Sequence, residues 1–204
     1  MKPFSEACER NQQPILEVLK IEFATLRHVL EIGSGTGQHA IFFGRHLPHL
    51  VWQTSDLAEH HPGIQAWIQD AGLANVRQPL LLNVNQSWPD VVFDGVFSAN
   101  TAHIMGWKSV VAMFSAIGKR LPAHGRFVLY GPFNENGRYT SDSNANFDRW
   151  LKARDPQSGL RDVADLTALA QTHGLRLRSR HSMPANNQIL VWEPGYGNQE
   201  GDDQ

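Results

Sequence analysis

A single cysteine among 204 residues excludes several chemistries at once. Cys8 cannot close an internal disulfide, and one thiol builds neither a structural zinc site nor an iron–sulfur cluster unless other residue types supply the ligands. No apolar run approaches the roughly 20 residues a membrane helix needs. The opening MKPFSEACERNQQP also lacks the hydrophobic stretch of a secretory signal. A reducing, cytoplasmic setting is therefore expected. Cationic excess is missing too: 18 Lys and Arg face 20 Asp and Glu, a formal net charge of −2. No global field draws nucleic acid or an anionic membrane surface. Ten histidines are present, but the adjacent pair His60–His61 lacks the i, i+4 spacing that sets two imidazoles on one helical face, so no metal is expected.

What is present reads as α/β. A hydrophobic content of 41% in 204 residues suits one core, and residues 1–194 are expected to form one domain followed by a disordered acidic tail, 195–204. Short apolar or β-branched runs alternate with helical periods, which predicts a mostly parallel sheet with helices on both faces. A helix is expected over Asn11 to Ala24 with Pro14 in its first turn, then a strand at His28–Ile32, a helix at Gly37–Leu47 and a strand at Leu50–Thr54. A further helix should run from Pro62 to a left-handed cap at Gly72. The leucine-rich stretch Pro79–Val84 reads as a strand covered on both faces, and Phe93–Ser98 as another. After a helix at Trp107–Leu121 and a strand at Arg126–Tyr130, the alternation breaks into a long polar segment, Gly131–Asn146, of the kind usually functional or disordered. Helices around Phe147–Arg154 and Asp162–His173 precede an antiparallel pair, Leu175–Arg180 and Gln188–Trp192.

The most informative segment is Val29-Leu30-Glu31-Ile32-Gly33-Ser34-Gly35-Thr36-Gly37, which ends a strand and opens a helix. Glycines there permit a tight turn and let the backbone approach a ligand, while the helix start offers unpaired N–H groups. A dinucleotide fingerprint places its third glycine three residues after the second, but position 38 is Gln and the third glycine is Gly37. Glu31 would repel a pyrophosphate and attract the cationic amino group and sulfonium of S-adenosyl-L-methionine (SAM). Asp56, at the end of the second strand, is placed to accept both hydroxyls of an adenosine ribose. Gly33, Ser34, Gly35, Gly37, Glu31 and Asp56, with the flanking Leu57, are thus expected to hold SAM and its product S-adenosyl-L-homocysteine.

Weaker signals surround this turn. Asn83, with Val84, follows the third strand and either meets the adenine edge or organises a turn. Ser98 and Asn100 end the fourth strand beside the same crevice, since ligands of open α/β sheets sit outside the strands' carboxyl ends. Arg10 and Asn11 either fold over the cofactor or remain an exposed arginine and a helix cap. His103 is the preferred group to take a proton from the methyl acceptor, because imidazole titrates near working pH, with Tyr130 and Asp148 as rivals. Tyr139, Ser141, Asn144, Asn146 and Asn186 crowd the expected substrate side, and Arg154 or Arg161 offers a fork for a carboxylate or phosphate.

With these residues in view, the chain resembles the class I SAM-dependent methyltransferases through Glu31-Ile32-Gly33-Ser34-Gly35-Thr36-Gly37 and Asp56. It resembles more closely a family that includes methyltransferase-like protein 26. That likeness rests on Cys8-Glu9-Arg10-Asn11 with Pro14-Ile15-Leu16, Ser98-Ala99-Asn100-Thr101-Ala102-His103-Ile104, Tyr130-Gly131-Pro132-Phe133, Ser141 through Asp148, and Met183-Pro184-Ala185-Asn186-Asn187. The resemblance implies a seven-stranded Rossmann-like methyltransferase sheet, mostly parallel with the last strand antiparallel, and SAM as cofactor. One departure is that many class members carry Asp where Asn83 stands. The expected activity is methyl transfer to a small polar metabolite by a monomer or homodimer; the alternative is a SAM-binding sensor or partner module without turnover. No Asn-Pro-Pro-Tyr run follows the fourth strand, which argues against methylation of adenine or glutamine nitrogen.

Overall fold

A computed structural model describes residues 2–195. Helix α1 (Glu6–Glu22) leads to β1 (His28–Glu31), α2 (Gln38–His46), β2 (Val51–Asp56), a 3₁₀ turn (Ala58–His60), α3 (His61–Ala71) and β3 (Val76–Leu81). The second half runs β4 (Gly95–Ala99), α4 (Trp107–Arg120), β5 (Arg126–Gly131), β6 (Phe133–Asn134), α5 (Asp142–Arg154), β7 (Arg161–Asp162), α6 (Val163–Thr172), β8 (Leu175–Met183) and β9 (Asn187–Pro194). The main sheet has seven strands in the order β3-β2-β1-β4-β5-β9-β8. Six run in one direction, β3, β2, β1, β4 and β5 pairing in parallel, and β9 inserts antiparallel between β5 and β8.

Alternation along each strand sorts the core into two layers. Val29, Phe97, Val128 and Val191 point toward α1, α2 and α3, where Ile15, Leu19, Phe43 and Ile64 meet them. Their neighbours Leu30, Val96, Leu129 and Leu190 point toward α4 and α6, against Val110, Phe114, Ile117 and Leu166. Outside these layers, α1 is stitched to the sheet by charge. Glu22 and Glu193, with side chains 7% and 8% exposed, share Arg178 at 3.3 and 3.0 Å, and Arg126 reaches Glu193 at 3.2 Å. Breaking such a pair by removing one partner leaves a buried charge without compensation, so the arginines and glutamates act as a unit.

Several boundaries differ from expectation, each for a physical reason. Helix α1 begins a full turn before Asn11 because Ser5 caps it, its Oγ accepting the Cys8 N–H at 3.3 Å. Pro14 consequently lies inside the helix rather than in its first turn. Strand β3 is Val76–Leu81 rather than 79–84, and it is an edge strand rather than one covered on both faces: Leu81 is 59% exposed. An edge position also explains how Pro79 is tolerated within a strand. The segment after β5 is partly ordered by the β6–β7 pair, and α5 starts at Asp142 because Ser141 caps it, accepting the Asn144 N–H at 3.1 Å. The tail expected to be disordered lies, from residue 196 onward, outside the described residues.

Helix α4 crosses the chain after α6 at close range. A Cβ built on Gly118 would stand 2.1 Å from the His173 carbonyl oxygen, which is backbone and cannot rotate away. The helix-propensity gain of about 1 kcal/mol for alanine over glycine offsets only part of that clash. Gly118→Ala is expected to destabilise the fold by about 2 kcal/mol, lowering the thermal midpoint by about 4–8 °C. An unchanged melting curve would show that α4 and the α6–β8 turn are free to separate.

Candidate active site

The strand order reverses between β1 and β4, and the loops at the carboxyl ends of β1, β2 and β4 meet there. Such switch points open a crevice in doubly wound sheets. The first loop enters it through three glycines with left-handed φ values, +73° at Gly33, +57° at Gly35 and +91° at Gly37. Two of them are also packed: a Cβ on Gly33 would lie 2.7 Å from Thr101 Cγ2, and one on Gly37 would lie 3.0 Å from the Ile64 backbone. Gly35 is different, exposed with no atom within 4 Å of a Cβ position, so its open front faces solvent.

Two carboxylates flank this turn. Glu31 is buried at the end of β1, where its Oε2 accepts the Ser34 hydroxyl at 2.7 Å and the Trp52 indole N–H at 3.2 Å. Burial pushes its acid up to about 7, assisted by the charge of Asp56 and opposed by the two hydrogen bonds. Asp56 closes β2 and accepts the Gly35 N–H and the Leu57 N–H, both at 2.7 Å. Each carboxylate oxygen has more than one lone pair, so Asp56 retains capacity for further donors. Ser98 ties the floor together, donating to the Ile32 carbonyl at 2.7 Å and pairing with Thr101 Oγ1 at 2.6 Å. The pair of acids suits a cationic, hydroxyl-bearing ligand and disfavours a phosphate bridge.

The remaining expected cofactor residues scatter around this centre. Leu57 is 39% exposed beside Gly35, and Val84 packs on the α4-side core. Asn83 accepts the Asn85 N–H at 3.0 Å, so at least one of its polar atoms organises the turn. Asn100 holds a left-handed φ of +58°, and its N–H donates to the Tyr130 carbonyl at 2.9 Å. Arg10 points outward to an exposed ion pair with Glu6, whereas Asn11 turns inward and its Oδ1 accepts His39 Nε2–H at 2.7 Å.

Among the catalytic candidates, His103 is 5% exposed, edge-on to Phe147 at 5.3 Å. Burial, with the nearby Arg161 charge, depresses its acid to about 4 and keeps the ring neutral. Tyr130 is buried at the end of β5, where desolvation pushes its phenol up. Asp148 departs from the expected role of free base. Its carboxylate accepts Tyr139 Oη at 2.7 Å, Lys152 Nζ at 2.6 Å and the Leu160 N–H at 2.7 Å. Burial alone would raise its acid, but those donors outweigh it and hold the group below its usual range. Arg161 is likewise engaged: its Nε donates to the carbonyl of Ala102 at 2.9 Å and its Nη2 to those of Gln157 at 2.9 Å and Met105. Arg154 lies over the exposed Trp150 ring at 4.6 Å.

The polar block on the substrate side is largely a clamp. Ser141 caps α5, Asn144 Nδ2 donates to Thr140 Oγ1 and to the Asn186 carbonyl, and Asn186 Nδ2 reaches Ser143 Oγ at 3.3 Å. Asn146 accepts from Arg149. These contacts join α5 to the β8–β9 turn, and they leave Tyr139, 46% exposed, beside a cleft of about 580 Å³ lined by Glu135, Asn136, Arg138 and Thr140. Sequence reasoning missed His39 and Trp52, whereas Thr101 lies in the segment expected at the end of the fourth strand beside the crevice. The first two face the buried side of elements whose outward signal is only hydrophobic. Among the described residues no group of three or more His, Cys, Asp or Glu is placed to hold a metal ion, and no described helix is long and apolar enough to cross a membrane.

Solved structures share this architecture. An O-methyltransferase family protein from Burkholderia thailandensis superposes with a TM-score of 0.81 at 18% identity, covering 94% of this chain and 58% of that one. NcsB1 of neocarzinostatin biosynthesis, solved with SAM and 2-hydroxy-5-methyl naphthoic acid, gives 0.77 at 18% identity over 92% of this chain and 54% of its own. An O-methyltransferase family 2 protein from Planctomyces limnophilus, solved with apigenin, gives 0.74 at 12% identity over 82% and 50%. The chain therefore spans little more than half the length of these relatives in shape, and the likeness establishes the seven-stranded Rossmann-like methyltransferase fold. In sequence, matched over residues 2–194, the chain belongs to the family described as Protein of unknown function (DUF938).

Proposed function

We propose that the chain is a SAM-dependent methyltransferase acting on a small polar metabolite, in the cytoplasm and without nucleic-acid or membrane partners. The observation that carries this reading is the pairing of Glu31 and Asp56 across an open glycine turn at the sheet's switch point. Bound there, SAM supplies an electrophilic methyl group on its sulfonium. Asp56 accepts the ribose hydroxyls, Glu31 offsets the charge of the amino-acid arm, and Gly33, Ser34 and Gly35 bring backbone against the ligand. Leu57, Asn83 and Val84 border the adenine, with Ser98 and Asn100 at the far wall. Alignment and exclusion of water supply most of what such a displacement needs. His103, neutral at working pH, takes the acceptor's proton. The closer likeness to the family of methyltransferase-like protein 26, carried by blocks spread along the whole chain, supports the same reading.

A second reading, a SAM-binding module without turnover, is favoured by the engagement of Asp148 and the weakened basicity of His103. Thermal melts with SAM, S-adenosylhomocysteine and NAD separate the cofactors: a ligand at 100 times its Kd stabilises by about 2.7 kcal/mol. Stabilisation by NAD alone would defeat both readings. Labelled SAM incubated with a metabolite extract separates enzyme from module. Transfer of label that His103→Ala slows without weakening SAM binding is the expected result, and label that stays on SAM leaves the module.

A further inference from the structure

The turn that carries His103, residues 101–105, closes on itself through the Thr101 carbonyl, which accepts the N–H groups of Ile104 and Met105 at 3.0 Å each. Its next four carbonyls are each taken by a segment that lies 54–59 residues further along the chain. Arg161 Nε donates to Ala102 at 2.9 Å, the Gly159 N–H to His103 at 2.9 Å, the Ser158 hydroxyl to Ile104 at 2.8 Å, and Arg161 Nη2 to Met105. Ala102, His103 and Ser158 are buried, so these donors satisfy backbone oxygens that water serves poorly.

The donating segment is itself held in place. Asp148 of α5, fully buried, accepts the Leu160 N–H at 2.7 Å, between the residues that reach the His103 turn. Gly159 packs so tightly that a Cβ there would stand 3.0 Å from Asp148 Oδ1. Arg161 lies in β7, whose pairing with Phe133 of β6 ties it to the chain just beyond the end of β5, and its guanidinium stands 5.9 Å from the centre of the Trp107 ring. His103 is thereby set between two walls. Phe147 of α5 meets it edge-on at 5.3 Å, and at the end of β5 a Cβ on Gly131 would lie 3.6 Å from its Nδ1.

We propose that Arg161, together with Ser158 and Gly159, is a positioning residue for His103, gripping the turn after β4 by its backbone oxygens so that the imidazole stays fixed between Phe147 and the end of β5. The inference rests on the methyltransferase reading for what His103 does, which is to take the acceptor's proton, but the bracket of four carbonyls is a property of the protein alone. A base works only within hydrogen-bond reach of the proton it removes, and a displacement of about 1 Å can cost a hundred-fold in rate. Because the grip is on main-chain oxygens, it fixes where position 103 stands whatever side chains flank it. The segment inserted between β5 and α6, which the alternation of strands and helices does not require, thus sets the place of the base.

The test separates position from charge. Arg161→Lys keeps the cation but loses the planar fork that spans Ala102 and Met105. Histidine NMR, with His103 assigned by comparison with His103→Gln, follows the imidazole itself. Burial is the larger of the two influences that depress its acid to about 4, the Arg161 charge being the other. A turn released toward water should therefore titrate roughly one pH unit higher in Arg161→Lys even though the charge remains. Ser158→Ala, which removes one donor and no charge, should move it in the same direction by less. In turnover, Arg161→Lys is expected to lower kcat about tenfold while SAM Kd stays within about twofold. The same substitution should cost nothing more in a His103→Ala background, where no imidazole is left to place. Losses that multiply in the double variant, or a His103 titration that Arg161→Lys leaves unmoved, would overturn the proposal. If Arg161→Lys fails to fold, Ser158→Ala decides by the same two readings. A parent protein that does not bind SAM removes the methyltransferase reading instead, and the titration alone then decides the bracket.

Discussion

Raising the pH from 5.5 to 7.5 is expected to tighten SAM binding about twenty-fold, with most of the change centred near the acid of Glu31. In the free protein that acid is raised by burial to about 7. A cation beside the carboxylate favours its ionised form, so binding below the midpoint must release a proton and the observed affinity rises until Glu31 is already ionised. The free protein behaves in the opposite sense. Glu31 binds its proton more tightly folded than unfolded, so its contribution to stability is complete below about pH 4.5. That contribution, about 3 kcal/mol, is lost as pH climbs to about 7. Ligand-free melting midpoints should therefore fall across the interval in which ligand-induced stabilisation grows. Calorimetry in buffers of different ionisation enthalpy measures the proton directly. Glu31→Gln should flatten both curves, and a parent protein with pH-independent affinity would show that Glu31 never meets the ligand's charge.

Asp56→Ala is the second large effect, a loss of SAM affinity of about a hundred-fold. Asp56 holds the Gly35 and Leu57 N–H groups at 2.7 Å each, which shapes the turn, and is the acceptor proposed for the ribose hydroxyls. Hydrogen bonds to a charged acceptor contribute about 1.5–3 kcal/mol each, and about 2.7 kcal/mol corresponds to two decades in Kd. Asp56→Asn keeps one oxygen and should lose about tenfold. Removing the charge has a further signature, because Asp56 is one of the influences raising the acid of Glu31. The pH at which affinity rises should move downward in both variants. Binding of SAM at parental affinity by Asp56→Ala would detach the cofactor from this end of β2.

The sheet was legible because its signals are local. Gly72 caps α3 with a φ of +61° where the sequence places a left-handed residue, and the alternation of Val29 with Leu30 declares two covered faces. The same holds for Glu31, Ser34 and Gly35, which share one turn, and for Asp56, which the regular strand–helix–strand spacing sets at the end of the neighbouring strand. What stayed hidden is nonlocal. The leucines of 80–82 look like a central strand until the strand order puts them at a rim, and Asp148 looks free until the Leu160 backbone, from beyond the end of α5, donates to it. His39 was invisible for a related reason: its partner lies 28 residues away on another helix, and nothing in the residues around it announces a buried imidazole.

The two rims of the sheet bear on how copies of the chain can meet. At one rim Pro79 withholds an N–H that a neighbouring strand would need. At the other, β8 sets Arg176, Arg178 and Arg180 at every second position, each tied to a carboxylate: Arg176 to Glu193, Arg178 to Glu22 and Glu193, and Arg180 to Glu135. Sheet extension is therefore opposed at the β3 rim by a missing donor, while the β8 rim is occupied by long side chains already engaged in ion pairs.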